Sequence, residues 1–241
     1  MESFAKFWIE VFDNFYKTVI FEQRYELILN GLKNTLIMSI GAIILGSLLG
    51  IIISLIKHNY KINGKMKILN KICNTYISII RGTPVLLQLM IIYYIIFKTS
   101  TINPIIIGIL AFGINSGAYS AEIFRSGLES IDKGQLEAGL SLGFNYPKTM
   151  KYIILPQALK NSLPSTCNEF ITLIKETSVA GYIGIMELTK VSDIIASKTY
   201  NYFFPLIIIA VIYFLITNLL SKIFKKMERK LDINDNNKES I

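Results

Sequence analysis

Charge is scarce in this chain. Only 17% of its 241 residues are Asp, Glu, Lys or Arg, against about 25% in an ordinary soluble domain, and the mean hydropathy is +0.47. A water-soluble fold needs no such deficit, nor several charge-free runs of roughly 20 residues, the length of a helix across a bilayer. Cysteine is scarcer still. Cys73 and Cys167 lie far apart on apolar segments, without the CxxC or His/Cys spacing of a zinc site, and they read as small packing residues. No Gly-x-x-x-x-Gly-Lys-Ser/Thr loop occurs, so the chain has no cradle of its own for nucleotide phosphates. A cleavable signal peptide is not evident, because Glu2, Lys6, Glu10 and Asp13 interrupt the first apolar residues.

What the chain does have is a net charge of +8, and its placement matters more than its size. The Lys and Arg residues sit in loops beside apolar runs, not on an aromatic-interleaved surface, which is the positive-inside pattern of a membrane protein and speaks against nucleic acid. Lys57, Lys61, Lys65, Lys67 and Lys71 follow the first run without one acidic residue between them. That loop is expected in the cytoplasm.

The expected fold is all-α, with about five transmembrane helices over residues 34–56, 74–97, 99–121, 152–174 and 199–221. Gly41, Gly46 and Gly50 in the first span stand near small-xxx-small spacing, which suits close helix packing. In the second, Arg81-Gly82-Thr83-Pro84 predicts a short helix, a break and then the span proper. Residues 1–26 form an outer-face segment: Phe4, Phe7, Trp8, Val11, Phe12, Phe15 and Val19 share one side of a helix opposite Lys6, Glu10, Asp13 and Lys17. It either lies at the headgroup boundary or packs on its own protein, and the pattern leaves both open. Five spans in a body of residues 27–224 put the N-terminus outside and the C-terminus in the cytoplasm, where Lys222, Lys225, Lys226, Arg229 and Lys230 open a basic-then-polar tail, 225–241. Residues 232–241 show no apolar face, and disorder is predicted there.

Residues 126–150 are polar enough to leave the membrane and read as helix, turn, helix. Asp132 stands at the start of the first helix, and Leu136 and Leu140 share a face. Gly143 suits the left-handed position that ends it, Asn145 an N-cap, and Pro147 a first turn.

Glu137-Ala138-Gly139, then Gly143, then Ile153-Ile154-Leu155-Pro156 resembles the EAA signature of permease subunits of ATP-binding-cassette importers, with Gly139 in place of the second alanine. Arg81-Gly82-Thr83-Pro84 followed by Gln88, and Ala118-Tyr119-Ser120-Ala121-Glu122-Ile123-Phe124-Arg125-Ser126-Gly127, are similar to blocks of the subfamily that imports polar amino acids. So are Leu163-Pro164, Asn168-Glu169-Phe170 and Lys175-Glu176-Thr177-Ser178, where Glu176 replaces the usual Asp. The resemblance covers residues 27–222 and implies a type I importer permease in the bacterial cytoplasmic membrane. It implies that Glu137, Ala138, Gly139 and Gly143 belong to a cytoplasmic coupling helix that docks on an ATPase. The implied partners are two ATP-binding cassette ATPase subunits carrying ATP and Mg, an extracytoplasmic amino-acid-binding protein, and a second permease copy or sister permease. The chain itself is then no enzyme and needs no cofactor.

The fourth span holds Pro156, Gln157, Lys160, Asn161, Pro164, Asn168 and Glu169, so it cannot face lipid all round and is expected to line a path or an interface. An amino acid in transit needs donors, acceptors and a charge. Glu169 is the leading candidate to meet its ammonium, with Asn115, Tyr119 and Asn168 as polar contacts. Glu169 could equally pair with Lys160 or Arg81, or lie in water at the outer interface. An ion-gradient carrier or channel is the competing function class, and basic amino acids, glutamine, glutamate, histidine and cystine all fit as cargo.

Overall fold

Apolar chain in lipid must satisfy its own backbone hydrogen bonds, which leaves helices or a closed barrel. In the computed structural model, which describes residues 2–239, every regular element among the described residues is helical. Helix α1 (Glu2–Phe15) leaves Phe4, Phe7, Trp8 and Phe12 exposed. Its aromatic face therefore does not pack on its own chain. Glu22 and Gln23, both at positive φ, turn the chain into α2 (Arg24–Asn63), which extends the expected first span at both ends and stops at Gly64.

Next come α3 (Lys67–Arg81) and α4 (Val85–Ile91), the latter running on as a wider turn to Ile96. The expected break falls between them. The bend there is 108°, so the segment is an elbow with two legs of similar length instead of a short helix followed by a straight span. Asn103 caps α5 (Pro104–Glu129) by accepting from the Ile105 amide, with Pro104 in the first turn. The hairpin α6 (Lys133–Ser141) and α7 (Tyr146–Thr149) leads into α8 (Leu155–Glu176). A 3-10 segment (Thr177–Ile183) and α9 (Leu188–Thr199) precede α10 (Phe203–Glu239).

Three stretches are long and apolar enough to cross a membrane, Lys6–Asn63, Pro104–Glu129 and Phe203–Lys230, and the bent pair makes a fourth if taken as one span. Helix α8 falls outside that group because of the polar residues noted above. Where disorder is predicted after residue 231, α10 continues as helix to Glu239, and residues 240–241 lie outside the described residues. Extending an existing helix avoids the nucleation cost that a free tail would meet.

The packing fixes the directions of the helices. Gly41 meets Ile109, Gly46 meets Ser116 and Gly50 meets Ser120. Both numbers rise together, so α2 and α5 run parallel, and the chain must cross back through the elbow between them. Ser162 lies on Gly127 and Glu169 on Ser116, so α8 is antiparallel to α5. Phe112, Met38, Leu89 and Leu173 join α5, α2, α4 and α8 in the main core. Cys73 packs with Ile53, Ile77, Ala118 and Ala121, as a small apolar residue would.

At the end of the bundle where α2 and α10 begin, Glu187 is fully buried and caps α9. Its carboxylate accepts from the Thr189 and Lys190 amides, each at 2.6 Å, and from the Tyr213 hydroxyl at 3.3 Å. Asn34 donates to the Met186 carbonyl, which ties α2 to the same node. Burial pushes the Glu187 carboxyl up to about 7, against the bonds from Thr189, Lys190 and Tyr213 that favour its charged form.

A cβ at position 50 would lie 2.5 Å from the Ser120 Cβ and 2.7 Å from its carbonyl carbon. Gly50→Leu is therefore expected to part α2 from α5 and destabilise the protein by about 1–3 kcal/mol, read as a lowered thermal midpoint in detergent; an unchanged midpoint would contradict the packing. Because the Glu187 value is raised on folding, the folded state binds the extra proton between the ordinary carboxylate value of 4.5 and about 7. Stability should fall as pH rises through that window and level off above it. Glu187→Gln should flatten the profile.

Candidate functional site

Two groups of side chains carry the functional candidates. The first gathers around the elbow. When a helix breaks at Gly82-Thr83-Pro84, the last carbonyls of α3 lose their helical partners, and within a membrane something must replace them. Gln88 does so. Its Nε2 donates to the Ile80 carbonyl at 2.8 Å, the Thr83 carbonyl at 3.1 Å and the Thr83 hydroxyl at 2.8 Å, while its Oε1 accepts from Asn115 Nδ2 at 2.9 Å. Tyr76 adds a bond from its hydroxyl to the Ile114 carbonyl. The elbow is thereby locked to α5 near the middle of that helix.

The next residue along α5, Ser116, turns to the other neighbour and donates to Glu169 Oε1 at 2.8 Å. Tyr119 falls between Asn115 and Ser116 on the helix face, and the Arg81 guanidinium lies over its ring, 5.4 Å from the centroid. Helix α5 is thus the floor of a polar seam, with the elbow on one side and α8 on the other. Nearer the hairpin, α5 and α8 line a separate cavity of about 320 Å³ with Ser126, Ser130, Asn161, Ser162 and Ser165.

Of the residues expected to meet cargo, Glu169, Asn115 and Tyr119 are brought together along this seam. Asn168 is not. It is exposed one helical step from Glu169 and lines a separate groove of about 450 Å³ between α8 and α10, with Lys160, Lys225 and Glu228. Glu169 bonds to Ser116 and not to Arg81, whose contact is with Tyr119. Sequence reasoning named Gln88 only as part of a motif, without a structural role, and did not single out Ser116. For Gln88 a signal was present, since a side chain four residues after Pro84 can reach back over the break; Ser116 had none.

The second group is the hairpin. Asp132 Oδ1 accepts from the Gly134 amide at 2.6 Å. At the other end of α6 the Gly143 amide bonds to the Leu140 carbonyl and the Phe144 amide to the Gly139 carbonyl, with Gly143 at φ +83°. This paired closure needs the left-handed residue that the sequence supplies. Asn145 caps α7 through the Lys148 amide. Leu128, Ile154 and Ala158 are buried with Leu55, Ile131, Leu136 and Met150 packed around them, so the hairpin is joined to α2, α5 and α8. Glu137 and Ala138 are exposed, as are Leu140, Leu142 and Phe144, with Leu142 at 76%. Gly139 is buried: a Cβ there would lie 2.5 Å from Thr149 Cγ2, which explains glycine where the signature has alanine.

Between the two groups, five charges bind the adjacent ends of α2 and α5. Glu122 takes Lys57 at 3.1 Å and Arg125 at 2.8 Å; Glu129 takes Lys61 and Arg125, both at 2.7 Å. A shared network of partly shielded charges counts for more than isolated surface pairs.

Residues 42–232 match the family described as binding-protein-dependent transport system inner membrane component. The chain is 41% identical over 222 residues to the putative glutamine transport system permease protein GlnP of Rickettsia typhi, covering 91% of this chain and 97% of that protein. It is 40% identical over 210 residues to the arginine transport system permease protein ArtQ of Bacillus subtilis, covering 86% and 94%. A solved structure of an amino acid ABC transporter with histidines aligns with a TM-score of 0.77 and 42% identity, over 86% of this chain and 94% of that one. An inward-facing structure of the MetNI methionine ABC transporter aligns at 0.74 and 19% identity, over 86% and 96%, and shares the fold.

The Gly139–Thr149 contact makes a double-mutant prediction. Gly139→Ala should lower the thermal midpoint by crowding Thr149 Cγ2, at a cost of about 1–3 kcal/mol. Adding Thr149→Ser, which removes that methyl and keeps the hydroxyl bonded to the Asn145 carbonyl, should recover most of the loss. Strictly additive effects would refute the contact.

Proposed function

The chain belongs to the family of binding-protein-dependent transport system inner membrane components, and from that premise we propose that a polar amino acid is the cargo and the seam on α5 its route. Hydrolysis of ATP falls to separate chains, since no phosphate-binding loop is present here. The observation that carries the motor-driven reading is the hairpin. It is closed at its caps, joined to three long helices by an apolar cluster, and still turns Leu140, Leu142 and Phe144 to solvent. Exposed apolar side chains on a rigid protrusion suit a protein partner, and an ATPase subunit is the partner we assign, with Glu137 and Ala138 on the docked surface.

The hairpin is also the covalent link between α5 and α8, the floor and one wall of the seam. Displacing it moves both, which is what alternating access requires of a coupling element. An ion-gradient carrier would leave such a protrusion without work to do.

For orientation, Lys57 and Lys61 at the end of α2, Arg125 at the end of α5 and Lys151 at the entry to α8 gather at the hairpin end. Positive-inside placement makes that end cytoplasmic, so the C-terminus is inside, the N-terminus and the α9 node are outside, and α8 completes a set of five crossings. The aromatic face of α1 then lies in the outer headgroup layer. A second copy or a sister permease would close the open side of the seam, and an extracytoplasmic amino-acid-binding protein would deliver cargo to the α9 side.

The test is uptake by the reconstituted complex with its ATPase and binding protein. Glu169→Gln should lower uptake at least about tenfold, the effect of about 1.4 kcal/mol, while ATP hydrolysis persists. Leu142→Asp should abolish the stimulation of ATP hydrolysis by the binding protein. Full uptake by the Gln variant at normal expression would remove Glu169 from the route, and uptake by this chain alone would overturn the motor-driven reading.

A further inference from the structure

Helix α10 is the least buried of the long apolar segments. Only 11% of its most apolar stretch lies inside the protein, against 28% for Lys6–Asn63 and 61% for Pro104–Glu129, so its sides are left to lipid or to a partner. Phe224 meets Phe170 of α8 edge-on, with ring centroids 6.2 Å apart. On the hairpin side of that contact the two helices part around the groove of about 450 Å³, a volume ordinary for a ligand site.

The groove is amphipathic. Lys160, Asn161 and Asn168 of α8 and Ser221 and Lys225 of α10 supply donors, while Leu163, Pro164, Phe224 and Met227 supply an apolar wall. Glu228 is the one carboxylate among the lining residues, against two lysines. Helical spacing sorts α10 into two flanks. Lys222 and Arg229, both exposed, stand three residues before and four after Lys225 and extend its side. Ile223 and Met227 are four apart on the other, and both are exposed.

Sequence sets the depth. The charge-free run of α10 ends at Ser221, which puts Lys225 about 6 Å further along the helix, at the level of the lipid headgroups. A groove with cations and an apolar wall at that level matches a molecule with an anionic head and a hydrocarbon tail. Free phosphate would leave the apolar wall uncovered, and a second copy of this helix would set one basic flank against another.

We propose that the groove between α8 and α10 binds an anionic phospholipid, its phosphate held by Lys160 and Lys225 and an acyl chain laid along Leu163, Phe224 and Met227. The excess of one cation among the lining residues matches the single negative charge of a phosphodiester, so a headgroup of the phosphatidylglycerol kind fits better than a phosphomonoester. Because α8 leaves the hairpin, a lipid seated there braces that helix against α10.

The experiment titrates phosphatidylglycerol and phosphatidylcholine into the detergent-solubilised permease–ATPase complex and reads bound lipid by native mass spectrometry. Wild type should prefer phosphatidylglycerol at least about fivefold, and Lys225→Gln should lower its affinity about fivefold, the effect of about 1 kcal/mol for one lysine at the membrane surface. Lys226→Gln removes the same charge one residue along, outside the groove, and should leave the affinity unchanged. Equal binding of the two lipids, or equal loss in both variants, overturns the proposal, the latter by showing diffuse attraction to a basic surface. Displacement of the lipid by inorganic phosphate would mark a free-anion site and refute it. So would a Cys167–Cys167 disulfide formed on mild oxidation, since Cys167 lines the groove and the crosslink would place a second copy there. If Lys225→Gln does not assemble, the wild-type preference and the phosphate competition decide. None of these readouts depends on the cargo or its route.

Discussion

The close, parallel contact of α2 with α5 is the constraint on which the rest depends. Gly46 and Gly50 leave room only for Ser116 and Ser120, so the two backbones approach closely, as small residues allow in a lipid-facing bundle. Two neighbouring helices that run the same way cannot be joined by a short turn. The chain between them must recross the bundle, and that return is where the elbow lies. On its other side α5 receives α8 antiparallel, by way of the hairpin. One buried helix therefore holds the first span, the broken return and the most polar helix in register.

From that register come the polar contacts. A broken helix frees backbone carbonyls from their helical partners, and Gln88 answers them while tying the break to Asn115. The same geometry leaves Ser116 for Glu169 and Tyr119 for Arg81. At the hairpin, apolar residues lock the protrusion to the helices, and Leu140, Leu142 and Phe144 remain exposed.

Much of this was legible from residue order. The charge-free runs marked helices; the Lys-rich loop marked one end of them. Asp132, Gly143, Asn145 and Pro147 marked the hairpin boundaries because capping chemistry is local and acts within a few residues. The elbow was legible as a break, since proline's missing donor is also a local fact, but its angle was not. The polar run of α8 announced a buried or wet face without saying which of its residues shared it. Glu169 and Asn168 are adjacent in sequence and lie on different faces, one on the seam and the other in the groove toward α10.

By itself the sequence determined the class of solvent, the helical content, the hairpin with its caps, and the absence of a nucleotide loop, because each follows from composition or from interactions within a turn or two of helix. Only the tertiary structure decided that α2 and α5 run parallel, that Gln88 closes the elbow, that Gly139 is required by Thr149, and that Arg81 and Glu169 go unpaired with each other. Gln88 reaches back only 5 to 8 positions, but its tie to Asn115 and the other outcomes join residues about 10 to nearly 90 positions apart, and such contacts are set by how whole helices pack, which no local pattern encodes.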